Sequence, residues 1–503
     1  MTFKRSILAL LAATSVLAFA PAAIAATLTV GIQEDPDTLD PATGGTYGGR
    51  QVFAGLCDKL VDIDANLNVQ PMLATSWTWN TDSTALTLNL REGVTFHDGT
   101  PFDAEAVKFN IERAQTREDS RRRAELVSVE SVSVDGPLTV TLNLSKPDVT
   151  VLVALTDRAG MMISPTAAET EGDNFSASPV CSGPFQFAER SQREFIRLTK
   201  FADYWNADNI FYDEIVYTYV EDATIRLARL QAGDIQVAER IAPTDISAIE
   251  SSNNLSVYQS SGLGTSYLSA GGRDTPFSTD LNVRRAFELA IDRNVINQVT
   301  YAGLYVADNQ LESNASPYHI AEFPMPERDV EAAKALLAEA GYTAPVPVEI
   351  TLANTLSDTR VGQIIQSLAN EAGFTVTVLP LESATATQRV FAGEFDVFLS
   401  NWSGRSDPHL NIDTLIGCGR PAVEQYGGWC TEEVQELINA AQGESDQTAR
   451  YDLYRRITEL YLGDVGVIAL YHPTWFYGAA SNLDGIAIYP DGIFRPTGVK
   501  PAS

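Results

Sequence analysis

The stretch VGQIIQSLANEAGFTVTVLPL, Val361 to Leu381, decides the fold class. Val361, Ile364, Ile365 and Leu368 recur at helical spacing and form one apolar face. Gly373 suits the left-handed conformation that ends a helix, and FTVTVLPL then reads as a strand. The unit recurs on both sides: AKALLAEAGY closes at Gly341, and EFDVFLSNW, Glu394 to Trp402, follows Gly393. Strands fed by helices predict an α/β protein with a mainly parallel sheet. Ligands of such sheets lie beyond the carboxyl ends of the strands, which makes NWSGRSDPHL, Asn401 to Leu410, a candidate site.

Composition sets the wider limits. A chain of 503 residues exceeds what one core serves, so two or three domains are expected, and 45% hydrophobic residues suffice to build them. The 65 Asp and Glu outnumber the 35 Lys and Arg, giving a formal charge of -30 that argues against nucleic acid and anionic lipid as partners and for a soluble monomer. Lys4 and Arg5, the apolar run Ile7 to Ala20 and the small residues Ala23-Ile24-Ala25 read as a secretory signal peptide over residues 1–25, cleaved near Ala25. Export permits disulfides among Cys57, Cys181, Cys418 and Cys430. Three pairings exist; the short loop of GCGRPAVEQYGGWC favours Cys418 with Cys430, leaving Cys57 with Cys181.

Catalytic and metal signatures are missing from the sequence. There is no Gly-x-Ser-x-Gly elbow, no His-Glu-x-x-His and no phosphate loop, and His97, His319, His409 and His472 are far apart. SGLGTSY, Ser261 to Tyr267, lacks the third glycine of a dinucleotide fingerprint. The expectation is a protein with no enzymatic activity, no cofactor and no bound metal.

Several segments together resemble one family. LATSWTWNTDSTALTLNLREGVTFHDGTPFDAEAVKFNIERA (Leu73 to Ala114), GIQEDPDTLDPATGG and CSGPFQF are similar to segments of the family-5 extracellular solute-binding proteins, as are YWNADNIFYDEIVYTYVEDATIRLARLQAGDIQVA and TPFSTDLNVRRAFELAIDRNVI. These are the periplasmic dipeptide-, oligopeptide- and nickel-binding components of ABC importers. The resemblance implies the type II periplasmic-binding-protein fold: two lobes joined by a hinge, with an extra α/β domain inserted in the first. Mapped here, 26–55, 176–262 and 481–503 form the first lobe, 56–175 the insertion and 263–480 the second lobe, with hinge crossings near Gly262 and Ala480. It also implies a periplasmic protein that closes over a small solute and delivers it to permease subunits in the inner membrane.

In peptide-binding relatives the loop after the tryptophan usually carries an aspartate for the ligand's amino group; here Arg405 stands there. A guanidinium pairs with carboxylate or phosphate and not with ammonium, so the expected solute is a modified, anionic, opine-like compound. An ordinary short peptide or a nickel chelate is the alternative, and a secreted hydrolase a third. The candidate ligand-binding residues are Trp402, Ser403, Gly404, Arg405, Ser406 and Asp407 of this loop, with Thr46, Tyr47, Gly48 and Tyr267. A competing reading pairs Arg405 with Asp407 inside the loop, away from any ligand.

Overall fold

The computed structural model describes residues 26–418 and 429–502, so the signal-peptide segment lies outside the described residues. The local signals take their expected forms. Asp103 accepts from the backbone of Ala106 and starts the helix Ala104–Thr116, which buries Val107, Ile111 and Ala114. Gly341 and Gly373 have φ of 89° and 99°, the left-handed conformation a helix end requires. Helix Leu281–Ala290 buries Val283, Ala286 and Phe287, and helix Leu356–Glu371 buries Val361 and Ile365.

Three sheets carry the architecture. A seven-stranded sheet runs Leu255–Ser261, Thr474–Ala480, Val237–Ala238, Thr27–Ile32, Glu214–Tyr219, Phe195–Lys200, Phe185–Ser191. A six-stranded sheet runs Val306–Ala307, Val467–His472, Thr265–Ala270, Val397–Trp402, Val346–Ala353, Phe374–Leu381. The four-stranded antiparallel sheet, Ala74–Trp79, Ala85–Leu90, Thr139–Leu144 and Val129–Gly136, is inserted after the first helix of the seven-stranded lobe. Each sheet has its own apolar core, which makes three packed bodies of one chain.

Two expectations are corrected. The six-stranded sheet is mixed: Val346–Ala353 pairs in parallel with Phe374–Leu381 and Val397–Trp402, whereas Thr265–Ala270 and Val467–His472 run antiparallel to their neighbours. Those two strands carry the chain in from the other lobe and back out, which the helix-strand alternation does not report. The second hinge crossing falls at Pro473, not near Ala480. VIALYHPTWFYGAA reads as one apolar run, yet Val467–His472 belongs to the six-stranded sheet and Thr474–Ala480 to the seven-stranded one. Pro473 lacks the N–H that a continuous strand would need, so the run breaks there.

The two crossings are bonded to each other and to both sheets. Gly262 N donates to Pro473 O at 2.9 Å, and the His472 ring makes a 2.8 Å hydrogen bond with Gly264 O. The inserted domain also reaches the far lobe. Val149 N donates to Gln442 O at 3.0 Å, while the Gln442 amide donates to Asp148 and accepts from Lys146.

The cysteines pair as Cys57–Cys181 and Cys418–Cys430. Cys57 ends the helix Tyr47–Leu56 and Cys181 precedes the strand Phe185–Ser191, so the first bond closes a span of 124 residues at the base of the inserted domain. Constraining so long a loop in the unfolded chain contributes about 2–5 kcal/mol. Replacing both cysteines by serine should lower the calorimetric melting temperature accordingly; an unchanged melting temperature would contradict this role.

Candidate functional site

The loop Ser403 to Asp407 leaves the carboxyl end of Val397–Trp402 and turns straight onto the hinge. Gly404 has a φ of 79°, and a Cβ there would sit 2.4 Å from the backbone of Leu263. A Cβ on Gly264 would in turn meet Trp402 O at 2.5 Å. Loop and crossing segment touch backbone to backbone, and only glycine permits the approach.

Asn411 then sets the direction of the loop. Its Oδ1 accepts from Trp402 Nε1 at 2.8 Å and from Arg405 N at 2.7 Å, and its Nδ2 donates to Arg405 O and to Glu312. Burial pushes the Glu312 carboxyl up to about 7. The Arg405 guanidinium rests over the Trp402 ring at 4.7 Å and donates to Gly404 O at 2.8 Å and Ser403 Oγ at 3.3 Å. Among the described residues no carboxylate reaches ion-pairing distance of it. Burial, followed by the charge of Arg50, draws the Arg405 guanidinium below its ordinary value.

The pairing of Arg405 with Asp407 does not occur. Asp407 gives both oxygens to Arg450, at 2.8 Å each, with both side chains buried, and also caps the helix Pro408–Ile416. The acid nearest in sequence is therefore committed elsewhere.

Facing the loop across the gap is the start of the opposite lobe and its insertion. Arg50, Asp157, Glu125, Asp491, Gly404 and Arg405 are among the residues that line a cavity of about 20 Å³. That is room for about one water molecule, so a solute can enter only if the lobes part at the hinge. Arg50 bonds Asp157 through Nε at 3.3 Å, and its buried Nη1 has no partner among the described residues. Arg158 is 3.6 Å from the same carboxylate and donates to Gly44 O, and Arg122 pairs with Glu125. Burial would raise the Asp157 carboxyl, but Arg50, Arg158, Arg405 and Arg122 hold it well below the usual carboxylate range. Burial, then Arg122, brings Arg158 down to about 9. Four guanidiniums thus gather around Asp157, with Glu125 and Asp491 nearby, in a protein whose overall charge is strongly negative.

The other expected residues lie at different depths. Thr46 caps the helix Tyr47–Leu56 and is bonded to Asp37; Tyr47 donates to Gly492 O at 2.5 Å and stacks on Trp475; Gly48 N donates to Glu34. Tyr267 is fully buried among the helices behind the six-stranded sheet and does not line the cavity. Arg50, Arg122, Asp157 and Arg158 carry no sequence signature. Only Arg50, one helical turn after Tyr47, was open to inference from position.

The Asp407–Arg450 pair yields a stability prediction. Burial would raise the Asp407 carboxyl, but Arg450 outweighs it and lowers the folded value. A depressed folded pKa gives stability fully present above the unfolded value of about 3.9 and lost as pH falls through the folded value. Asp407→Asn should cost about 3–5 kcal/mol at neutral pH. In denaturant titrations the difference from wild type should shrink below about pH 4; a difference that does not change with pH would contradict the pairing.

Comparison with known proteins gives a consistent picture. Residues 68–421 match the model of the bacterial extracellular solute-binding proteins, family 5 Middle. The chain is 27% identical over 489 residues to the glutathione-binding protein GsiB of Salmonella paratyphi A, with 95% of each covered. The dipeptide binding protein from Pseudoalteromonas sp. SM9913, solved with Met-Leu, superposes with a TM-score of 0.84 at 22% identity, covering 94% of this chain and 100% of that one. AgaA of A. tumefaciens R10, solved with agropinic acid, gives 0.81 at 23%, covering 95% and 99%.

Proposed function

Because the chain belongs to the family-5 bacterial extracellular solute-binding proteins, we propose that it captures a small anionic, peptide-like or opine-like solute by lobe closure. In this reading residues 1–25 direct export and are removed, the mature protein works in the periplasm as a monomer, and the closed form docks on the permease subunits of an ABC importer. No bond is made or broken. Among the described residues no helix is long and apolar enough to cross a membrane.

The observation that carries the reading is Arg405: a half-buried guanidinium at the lobe gap, held in place by Asn411 and Trp402, with no acid of the described residues at ion-pairing distance. A desolvated charge without a partner is costly, and an anion brought by the solute supplies one. Closure then follows as a population shift, because the anion meets both Arg405 and the arginines of the opposite face only when the lobes are together. Glutathione and agropinic acid, named for two of the relatives, are both carboxylated.

Mass spectrometry of solute released from natively purified protein tests this directly. An intact anionic compound is expected; a neutral dipeptide would favour ordinary peptide transport, a metal complex the chelate reading, and a cleaved product a hydrolase. With the identified solute, Arg405→Ala should weaken binding by about 2–5 kcal/mol in calorimetry. An unchanged dissociation constant would remove Arg405 from the site.

A further inference from the structure

Arg240 is a second guanidinium between the lobes for which the fold supplies no acid within pairing distance. It follows the strand Val237–Ala238, beside the central parallel strand Thr27–Ile32, at the carboxyl end where open α/β sheets receive ligands. Its φ of 48° is left-handed, a conformation a non-glycine residue adopts only when its surroundings enforce it. Two bonds do so: Arg226 donates to Arg240 O at 2.8 Å, and the next residue, Ile241, donates through its N to Phe476 O at 2.9 Å.

The side chain so placed lies over two rings, 4.3 Å from the centre of Tyr47 and 5.2 Å from that of Trp475, which stack on each other at 5.2 Å. Among the described residues no hydrogen bond or ion pair engages the guanidinium, and its Nε is buried without a partner. The charged and titratable groups around it are Glu239, Glu34, Arg226 and the hydroxyls of Tyr47 and Tyr477 on its own lobe, and Tyr305 on the other. Glu239 is fully buried; its Oε1 accepts from Gln33 N and its Oε2 has no partner among the described residues, so its charge acts on Arg240 without a hydrogen bond or an ion pair.

The same Tyr47 ring has Arg50 at 5.8 Å, which ties this position to the cavity that Arg405 lines. Between them, the Tyr47 hydroxyl and Trp475 Nε1 donate to Gly492 O and Pro490 O, flanking the cavity residue Asp491. Arg405 and Arg240 are alike in being laid on an aromatic face, which leaves guanidinium N–H groups for a carboxylate: all of them at Arg240, and at Arg405 those not given to Gly404 and Ser403.

We propose that Arg240 holds a second acidic group of the solute on the hinge side of the cleft, so that the transported class carries two carboxylates, one at Arg405 and one at Arg240. This rests on the anion-capture reading above and narrows it.

The test is calorimetric titration of wild type, Arg240→Gln and Arg405→Gln at fixed ionic strength, with glutarate, adipate and glutathione as two-carboxylate probes and butyrate as the one-carboxylate probe. At least one two-carboxylate probe should bind wild type tenfold or more tightly than butyrate. Arg240→Gln should bring that probe down to the butyrate level, and Arg405→Gln should weaken both classes. A wild-type protein without the tenfold preference, or a preference that survives in Arg240→Gln, overturns the proposal while leaving single-anion capture standing. Binding of neither class by wild type overturns both. The wild-type comparison decides even if a variant fails to fold.

Discussion

The structure turns on leaving Arg405 without an ion pair among the described residues, although Asp157 and Glu125 share its cavity. In a chain with a formal charge of -30, carboxylates are plentiful, and the obvious one, Asp407, is two residues away. Arg450 takes that carboxylate with both nitrogens of its fork, and Asn411 fixes the backbone on either side of the Arg405 side chain. The guanidinium is left stacked on Trp402 and aimed into the gap. Arginine suits this role better than lysine, because its planar face packs on the ring and the N–H groups beyond those given to Gly404 and Ser403 stay available.

Lobe closure follows from the same geometry. The crossings meet through Gly262, Gly264, His472 and Pro473, and the loop carrying Arg405 is pressed on this hinge at Gly404. Movement at the hinge therefore moves Arg405 relative to Arg50 and Asp157 on the other face. With the lobes together Arg50, Arg405 and Asp157 crowd around a water-sized space, where burial first and neighbouring arginines second depress the Arg158 and Arg405 guanidiniums. An added anion relieves that repulsion, while the contacts of Gln442 with the inserted domain hold the outer edge.

Local structure was readable from the sequence because its causes are local. Helix stripes such as Val283, Ala286 and Phe287, the cap at Asp103 and the glycines at 341 and 373 each depend on residues within one or two turns. The position of the loop Ser403 to Asp407 was readable as well, since it follows the strand Val397–Trp402. What the sequence concealed depends on distant partners. The Asp407–Arg450 pair spans 43 residues, and Arg50 meets Asp157 across 107. Tyr267 sits on a strand beside the hinge, but strand side chains alternate and its register turns it toward the helices. Pro473 was visible as a residue and unremarkable as a motif; only the assignment of its flanking strands to two sheets shows it to be a hinge.

The central claim is that the solute brings the acid that Arg405 lacks. A crystal structure of the protein loaded with its co-purified solute tests it most directly. The account predicts an anionic oxygen of the solute within hydrogen-bonding distance of the Arg405 guanidinium, with the lobes closed. A solute amino group seated on Asp157, with Arg405 turned away from it, would contradict the account.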